Sequence, residues 1–298
     1  MIERYTRPEM GRVWSEAHKY ELWARVELGV LAAHARGGTV PADSVEPVRS
    51  AKIPTPQAVA AVEAVTDHDV IAFLTAWADN TEPRAAAAWV HYGMTSSDLI
   101  DTALAMQLTE ASDLLIAQAT RLVAVLRDHA LAHRDTLRPG RTHGVHAEPD
   151  SWGHRVADFA FAMARSRDRL VRAREAVAVG TLSGPVGSYS NIDPAIEAEV
   201  LPALGLRPAD VATQVVMRDG MAEEPFCPRP NGSASSATSV RCPCRTSSAT
   251  ASHTVAASAS APVHSAMPSR MTTWVATSAG RSPSAAKTSA SMPGSMLE

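Results

Sequence analysis

The apolar positions of the first 226 residues recur at the spacing of one helix face. The stretch 12–37 shows this spacing and ends at the Gly37-Gly38 pair, a common stop signal. Residues 56–78 repeat the pattern after a region broken by prolines. Both stretches therefore predict long helices. The apolar positions of the first stretch are Trp14, Leu22, Val26, Leu28, Val30 and Leu31.

Later stretches carry the narrow apolar seam of helices packed in a bundle. A helix is predicted to begin at the Ser96-Ser97-Asp98 cluster, whose side chains can cap exposed backbone amides. Two more seams cover 112–133 and 151–177, and alternation typical of strands is almost absent. The sequence therefore predicts an all-α fold. The seam positions are Leu115, Ala119, Leu122 and Leu126, then Val156, Phe159, Met163 and Leu170.

Charge divides the chain into two unlike pieces near Phe226. Residues 1–226 hold 22 of the 28 basic residues and 30 of the 31 acidic ones, a formal charge of −8. Residues 227–298 hold six basic residues and one acidic residue, a formal charge of +5. Neither piece gathers its basic residues into a stripe that could follow phosphates, so no nucleic-acid partner is predicted.

The last 72 residues contain 17 serines, one leucine and one tryptophan. Such a segment cannot bury enough apolar surface to offset its ordering entropy, so we predict a disordered tail. All three cysteines lie in this tail, which leaves the first piece without a thiol and fits a cytoplasmic protein. The start of the chain lacks a secretory signal pattern, and no apolar run is long enough to span a membrane.

Polar segments between the helices hold the candidate chemistry. His143 is the sharpest candidate, because Gly140 and Gly144 allow a ligand to approach the backbone closely and imidazole exchanges protons near neutral pH. A lone histidine such as His68 is more often structural, and Thr95-Ser96-Ser97-Asp98 taken alone is more often a helix cap. No metal site is predicted, because no histidine or cysteine pair has the further ligands that zinc requires.

Taken together and in this order, the polar segments resemble those of the adenylosuccinate lyase family, within the fumarase and aspartase superfamily. The similarity covers about 219 residues. The matching segments are Met1-Ile2-Glu3-Arg4-Tyr5, Pro8-Glu9-Met10, Thr66 to Asp69, His91 to Asp98, Gly140 to Pro149, Ser183 to Gly187, Asn191 to Pro194, Thr213-Gln214-Val215 and Arg218-Asp219.

The resemblance implies a β-elimination that breaks a carbon–nitrogen bond and releases fumarate. The substrates would be adenylosuccinate, which gives AMP, and the succinyl-carboxamide ribotide of purine synthesis. Removing a proton next to a carboxylate creates a carbanion-like dianion, so such a site needs fixed donors and an acid for the departing nitrogen. The resemblance implies no cofactor, and a homotetramer in which three subunits build each site.

By the same resemblance, His143 is the general acid and His68 is its helper beside the substrate. Arg4 and Tyr5 would hold the phosphoribosyl end, and Asp69 the base or ribose. Other substrate contacts would come from Thr95 and Ser96, which would bind the succinyl carboxylates, and from Gln214. The implied domains are an N-terminal helical domain over 1–111, part of the central long-helix bundle over 112–226, and the tail over 227–298.

The resemblance breaks after Arg218-Asp219. The family's catalytic base is a serine on a loop that reads Ser-Ser-Ala-Met-Pro-His-Lys-Arg-Asn-Pro, and this string does not occur in the 298 residues. Met-Pro-His-Lys-Arg-Asn in G+C-rich codons, read one base later, becomes Cys-Arg-Thr-Ser-Ala-Thr. The tail reads the same from Cys244 to Thr250 apart from one extra serine. We therefore expect the residues after about Phe226 to be an out-of-frame translation, and the chain to show little lyase activity and to aggregate.

Three other hypotheses stay open at this point. The chain could descend from another fumarate-releasing lyase, such as argininosuccinate lyase. It could be a non-catalytic helical module that retains the pocket or joins intact subunits. In a third hypothesis the tail is a genuine disordered arm that contacts a partner.

Overall fold

The computed structural model describes residues 3–216, and the chain forms eight α-helices within this range. They are α1 (Pro8–Val13), α2 (Glu16–Arg36), α3 (Val45–Ser50), α4 (Pro56–Thr66), α5 (Asp69–Asp79), α6 (Ser96–Ala132), α7 (Trp152–Val177) and α8 (Pro194–Ala203). The strands are β1 (Leu137–Thr142), β2 (Val145–Ser151), β3 (Val179–Gly180) and β4 (Arg207–Pro208), and 3₁₀ turns cover Glu3–Tyr5, Ala42–Ser44 and Arg84–Trp89. The all-α prediction is confirmed. The tail predicted for 227–298 lies outside the described residues.

The first predicted helix is confirmed at its end and wrong at its start. Helix α2 begins at Glu16 because the Ser15 side chain accepts a hydrogen bond from the His18 backbone N–H at 3.2 Å. The preceding residues form the separate short helix α1, which Pro8 opens. Helix α2 stops at Arg36, with Gly37 as its C-cap, as the glycine pair predicted.

The single helix predicted over 56–78 is two helices in the structure. Asp67 adopts the left-handed conformation, with φ of 50°, and ends α4. His68 then has an extended backbone, and its Nδ1 accepts a hydrogen bond from the Ile71 N–H at 3.3 Å, so it caps α5. Side-chain capping at this break outweighs the apolar periodicity that runs across it.

The two longest helices, α6 and α7, pack against each other. The predicted start at Ser96 and the seam over 112–133 belong to one continuous helix of 37 residues, which spans about 55 Å. Gly153 lets α7 approach α6, because a side chain there would overlap the carbonyl oxygen of Ala130. The predicted boundary between 111 and 112 falls inside α6, and this division into domains stays a prediction.

The segment between α6 and α7 forms an antiparallel hairpin that the sequence reasoning did not predict as strands. Thr142 pairs with Val145, so the turn consists of His143 and Gly144, with φ of 51° and 78°. Two positive φ values are the signature of the turn that matches the twist of a two-stranded ribbon. Pro139, Gly140 and Pro149 are residue types that are uncommon in strands, and no residue of either strand is buried.

The apolar core lies around α2. Four aromatic rings from α2 and α5 contact one another at centroid distances of 5.4–5.6 Å, namely Tyr20, Trp23, Phe73 and Trp77. Helices α6 and α8 close this core with Leu99 and Leu201, both fully buried. The core thereby anchors the first turns of α6, which carry several of the candidate residues.

The chain after α7 returns to α6 and is held there by polar side chains of that helix. Thr102 Oγ1 lies 3.1 Å from the Thr181 carbonyl oxygen and 3.2 Å from its amide nitrogen. Farther along, Asp101 accepts a hydrogen bond from the Val216 N–H at 2.8 Å. The Thr102 bonds place the polar loop between β3 and α8 against the N-terminal end of α6, and the Asp101 bond does the same for the segment after β4.

Candidate active site

The N-terminus of α6 brings several predicted residues together. Thr95 is the N-cap residue and Ser96 is the first helical residue, and both are partly exposed. Ser96 Oγ lies 3.4 Å from Nε2 of His68, whose side chain is 40% exposed. A helix N-terminus with hydroxyl side chains favours anionic oxygens, since its amides point outward and its dipole is positive there. This arrangement is able to bind a carboxylate beside an imidazole.

Asp98 fastens this end of α6 to the neighbouring loop. Its buried carboxylate accepts hydrogen bonds from the backbone N–H groups of Thr95, Ser183 and Gly184, each at 3.0 Å. Burial raises the pKa of Asp98 above its usual value, although these hydrogen bonds oppose that shift. Asp98 therefore holds the backbone around Thr95 in place from the buried side, whereas Thr95 and Ser96 remain partly open to solvent.

His91 is held next to the same helix end by Glu27 of α2. Glu27 Oε1 lies 2.6 Å from Nδ1 of His91, and Glu27 Oε2 accepts a hydrogen bond from the His91 backbone N–H at 2.9 Å. Burial lowers the pKa of His91, but the hydrogen bond to Glu27 and the charges of Glu27 and Asp98 outweigh it, so the pKa is raised. The segment His91 to Asp98 matched the family in sequence, but no role was predicted for His91.

Other predicted substrate contacts have fewer neighbours. Asp69 begins α5 beside His68, and its carboxylate is 44% exposed and accepts a hydrogen bond from the Val70 N–H at 2.8 Å. Tyr5 is 74% exposed, with the Arg4 guanidinium 4.7 Å from its ring centroid. Gln214 is exposed in the segment that ends at Val216. The described contacts do not join Arg4, Tyr5 or Gln214 to the cluster at α6.

His143 lies away from this cluster. It occupies the exposed turn of the β1–β2 hairpin, beyond the C-terminal end of α6. The helix spans about 55 Å and the residues from its end to His143 reach at most about 40 Å when fully extended, so His143 stays at least about 15 Å from Ser96. Within one chain the structure does not bring the two predicted catalytic histidines, His68 and His143, together.

Glu27 was not predicted as a supporting residue, and Asp98 was predicted only as part of a helix cap. Both have a recognisable signal. Glu27 is a carboxylate in the middle of a buried helix face, and Asp98 follows three hydroxyl residues at a predicted cap. A charged residue on an apolar face indicates a buried partner, since an unpaired charge there is costly. Among residues 3–216, no cluster of three potential ligands is arranged to hold a metal ion, and no helix is long and apolar enough to cross a membrane.

The fold and the motifs define a class of protein. The sequence model of a family described as lyase matches residues 50–227, and the chain belongs to this family. The relatives it resembles include an adenylosuccinate lyase of Synechocystis sp., 45% identical over 223 residues, which are 75% of this chain and 51% of that protein. An adenylosuccinate lyase of Deinococcus radiodurans is 42% identical over 229 residues, 75% and 52% of the two chains. The family resemblance inferred from the motifs is thereby confirmed.

A solved structure shows the same fold. The crystal structure of the 3-carboxy-cis,cis-muconate lactonizing enzyme from Pseudomonas putida matches with a TM-score of 0.64 and 28% identity. The match covers 70% of this chain and 49% of that one. The chain spans about half the length of the curated relatives it matches.

Proposed function

We propose that this chain carries part of an adenylosuccinate lyase active site. The reaction would release fumarate from adenylosuccinate, giving AMP, and from the succinyl-carboxamide ribotide of purine synthesis. The observation that supports it best is the meeting of His68 and Ser96 at the N-terminus of α6, 3.4 Å apart. The 39–45% identity to adenylosuccinate lyases favours this reaction over that of another fumarate-releasing lyase.

The proposed chemistry places negative charge where the donors are. The succinyl carboxylates would lie against Thr95 and Ser96, where the helix dipole and the hydroxyl groups stabilise the extra charge of the carbanion-like intermediate. His68 would stand beside the reacting atoms, and Asp69 next to it would contact the base or ribose. Arg4 and Tyr5 would bind the phosphoribosyl end, and Gln214 would add a further contact.

His143 would act as the general acid in a site that another copy of the chain completes. Its distance from Ser96 within one chain supports a shared site, and its exposure leaves the imidazole accessible to a second subunit. Apolar side chains along α6 and α7 are also exposed in the single chain, and a homotetramer would bury them. They include Leu115, Leu122, Val125, Phe159 and Phe161, which are 42–67% exposed. We place such an assembly in the cytoplasm.

Binding and turnover are expected to separate in this chain. The sequence contains no match to the family's serine loop, so no residue is assigned to remove the substrate proton. We expect the purified chain to bind AMP and to release fumarate far more slowly than an intact adenylosuccinate lyase.

Calorimetric titration of the full chain with AMP tests the binding. Thr95→Ala and His68→Ala should weaken it at least about tenfold, which corresponds to about 1.4 kcal/mol. The matched control is His154→Ala, an exposed histidine on α7 that should leave the affinity unchanged. Absence of AMP binding, or equal losses in the control, would contradict the proposal. Binding of argininosuccinate without binding of AMP would favour argininosuccinate lyase over adenylosuccinate lyase.

A further inference from the structure

Glu27 lies where a carboxylate is costly. It occupies the middle of α2 and is 1% exposed, and its neighbours one turn away, Trp23, Val30 and Leu31, are each 2% exposed. A carboxylate in such surroundings is stable only when its charge is paired and its oxygens are hydrogen-bonded. Its contacts should therefore have a purpose beyond filling space, which a leucine at this position would do at lower cost.

Both oxygens of Glu27 are used by one residue. Oε1 contacts the His91 ring at Nδ1, 2.6 Å away, and Oε2 accepts the His91 backbone N–H at 2.9 Å. The same carboxylate thus fixes the backbone position of residue 91 and the direction of its ring. His91 also has φ of 66°, a left-handed conformation that is strained for a residue with a Cβ. The clamp offsets that strain and makes the conformation persist.

The clamp leaves the other side of the His91 ring free of Glu27. Nδ1 faces Glu27, so Nε2, on the opposite side of the imidazole, faces away from α2. The His91 side chain is 21% exposed whereas that of Glu27 is 1% exposed, so the accessible part of the pair is the histidine. His91 precedes Thr95 by four residues, and the charged groups that act on it are Glu27 and Asp98.

We infer that Glu27 is a positioning residue, which holds His91 so that its Nε2–H donates to an anionic group of the ligand bound at Thr95 and Ser96. This inference rests on the proposed function. The local sequence around His91 does not reveal this role of Glu27, because Glu27 lies on a helix 64 residues earlier in the chain. Both negative neighbours favour the protonated imidazole, which donates through both nitrogens.

The test compares Glu27→Gln with the wild-type full chain by NMR titration of the His91 ring and by calorimetric titration with AMP. The amide keeps the shape but removes the charge, so the pKa of His91 should fall. The AMP affinity should drop about tenfold at pH 7.5, and this ratio should shrink at pH 5.5, where acid protonates the ring in both proteins. A merely structural role would weaken binding equally at both pH values.

A matched control is available on the same helix. Glu21 contacts Nδ1 of His18 at 2.9 Å, and this carboxylate–histidine pair lies away from Ser96. Glu21→Gln should leave AMP binding unchanged at both pH values.

The outcomes separate this inference from the proposed function. If the wild type does not bind AMP, the proposed function and this inference are both overturned. If the wild type binds AMP and Glu27→Gln binds it equally at pH 7.5, only the role of Glu27 is overturned. If Glu27→Gln does not fold, the NMR signal of the His91 ring in the wild type tests the inference instead. This signal should titrate above the ordinary pKa of histidine and should shift when AMP saturates the protein. A signal that does not change with AMP overturns the inference.

Discussion

The two ends of helix α6 are built in opposite ways. At the N-terminal end, buried side chains such as Asp98 and Thr102 bind the backbone of distant segments. At the C-terminal end, the hairpin presents exposed residues, including Leu137 at 80% exposure and His143 at its turn. One end is therefore preorganised within a single chain. The other carries its candidate acid on a turn that only local geometry shapes.

This difference is what the proposed shared site would require. The cluster at Thr95 and Ser96 depends on tertiary hydrogen bonds that form as the chain folds. Under the proposed function His143 needs no such bonds, because it would act where a second subunit meets the hairpin. Substitutions at the two ends should therefore differ most in their effect on folding stability.

The largest contrast is expected between two aspartates. Asp98→Ala should lower the free energy of unfolding by about 3 kcal/mol, because three buried backbone N–H groups lose their acceptor. Asp150→Ala, in the hairpin strand β2, should cost much less, since its partners Arg138 and His154 lie near solvent. Urea unfolding followed by circular dichroism measures both. Equal losses would show that the hairpin end is as tightly built as the site end.

Two glycines with nearly the same backbone conformation provide the next contrast. Gly93 has φ of 77° and Gly144 has φ of 78°. An added Cβ at Gly93 would overlap the Asn191 carbonyl oxygen, whereas at Gly144 nothing lies within 4 Å. Gly144→Ala should cost about 1 kcal/mol from backbone strain alone, and Gly93→Ala should cost at least about twice that. Thermal unfolding of both variants checks the order, which a larger loss at Gly144 would reverse.

A smaller effect is expected from pH at the buried end. His34 is 2% exposed and its ring lies edge-on to Tyr92, with centroids 5.3 Å apart. Burial lowers the pKa of His34, so below about pH 6.5 the unfolded chain takes up a proton that the folded chain resists. The stability contributed by neutral His34 is therefore present above pH 6.5 and is lost as the pH falls toward the folded-state pKa.

Comparing wild type with His34→Gln isolates this term. The difference in unfolding free energy between the two proteins should shrink as the pH is lowered from 7.5 to 5. The exposed His143→Gln variant serves as the control for the histidine-to-glutamine substitution itself. A difference that stays constant with pH would mean that His34 has the same pKa in the folded and the unfolded chain.

The smallest effect should come from His143 itself. His143→Ala removes an exposed side chain from a turn, so the urea midpoint should not change measurably. A loss comparable to that of Asp98→Ala would show that tertiary contacts hold the turn and would remove the contrast between the two ends.

Much of the helical framework followed from local pattern. The seam over 151–177 predicted α7, and Gly37 marked the end of α2. The break at Asp67 and His68 was missed, because it depends on a left-handed residue and a capping imidazole that apolar spacing does not report. The hairpin was missed since its strands contain Pro139, Gly140 and Pro149, which are uncommon in strands, and none of their residues is buried.

By itself, the sequence determined the all-α class, the family and the residue types of the candidate site, because spacing and short motifs are local properties. Only the tertiary structure decided that His68 meets Ser96, that His143 lies at the far end of α6, and that Glu27 pairs with His91. Those relations depend on the length of a helix and on polar contacts between residues 28 and 64 positions apart in the chain. No local pattern encodes them, since a buried polar group finds its partner only when the core closes around both.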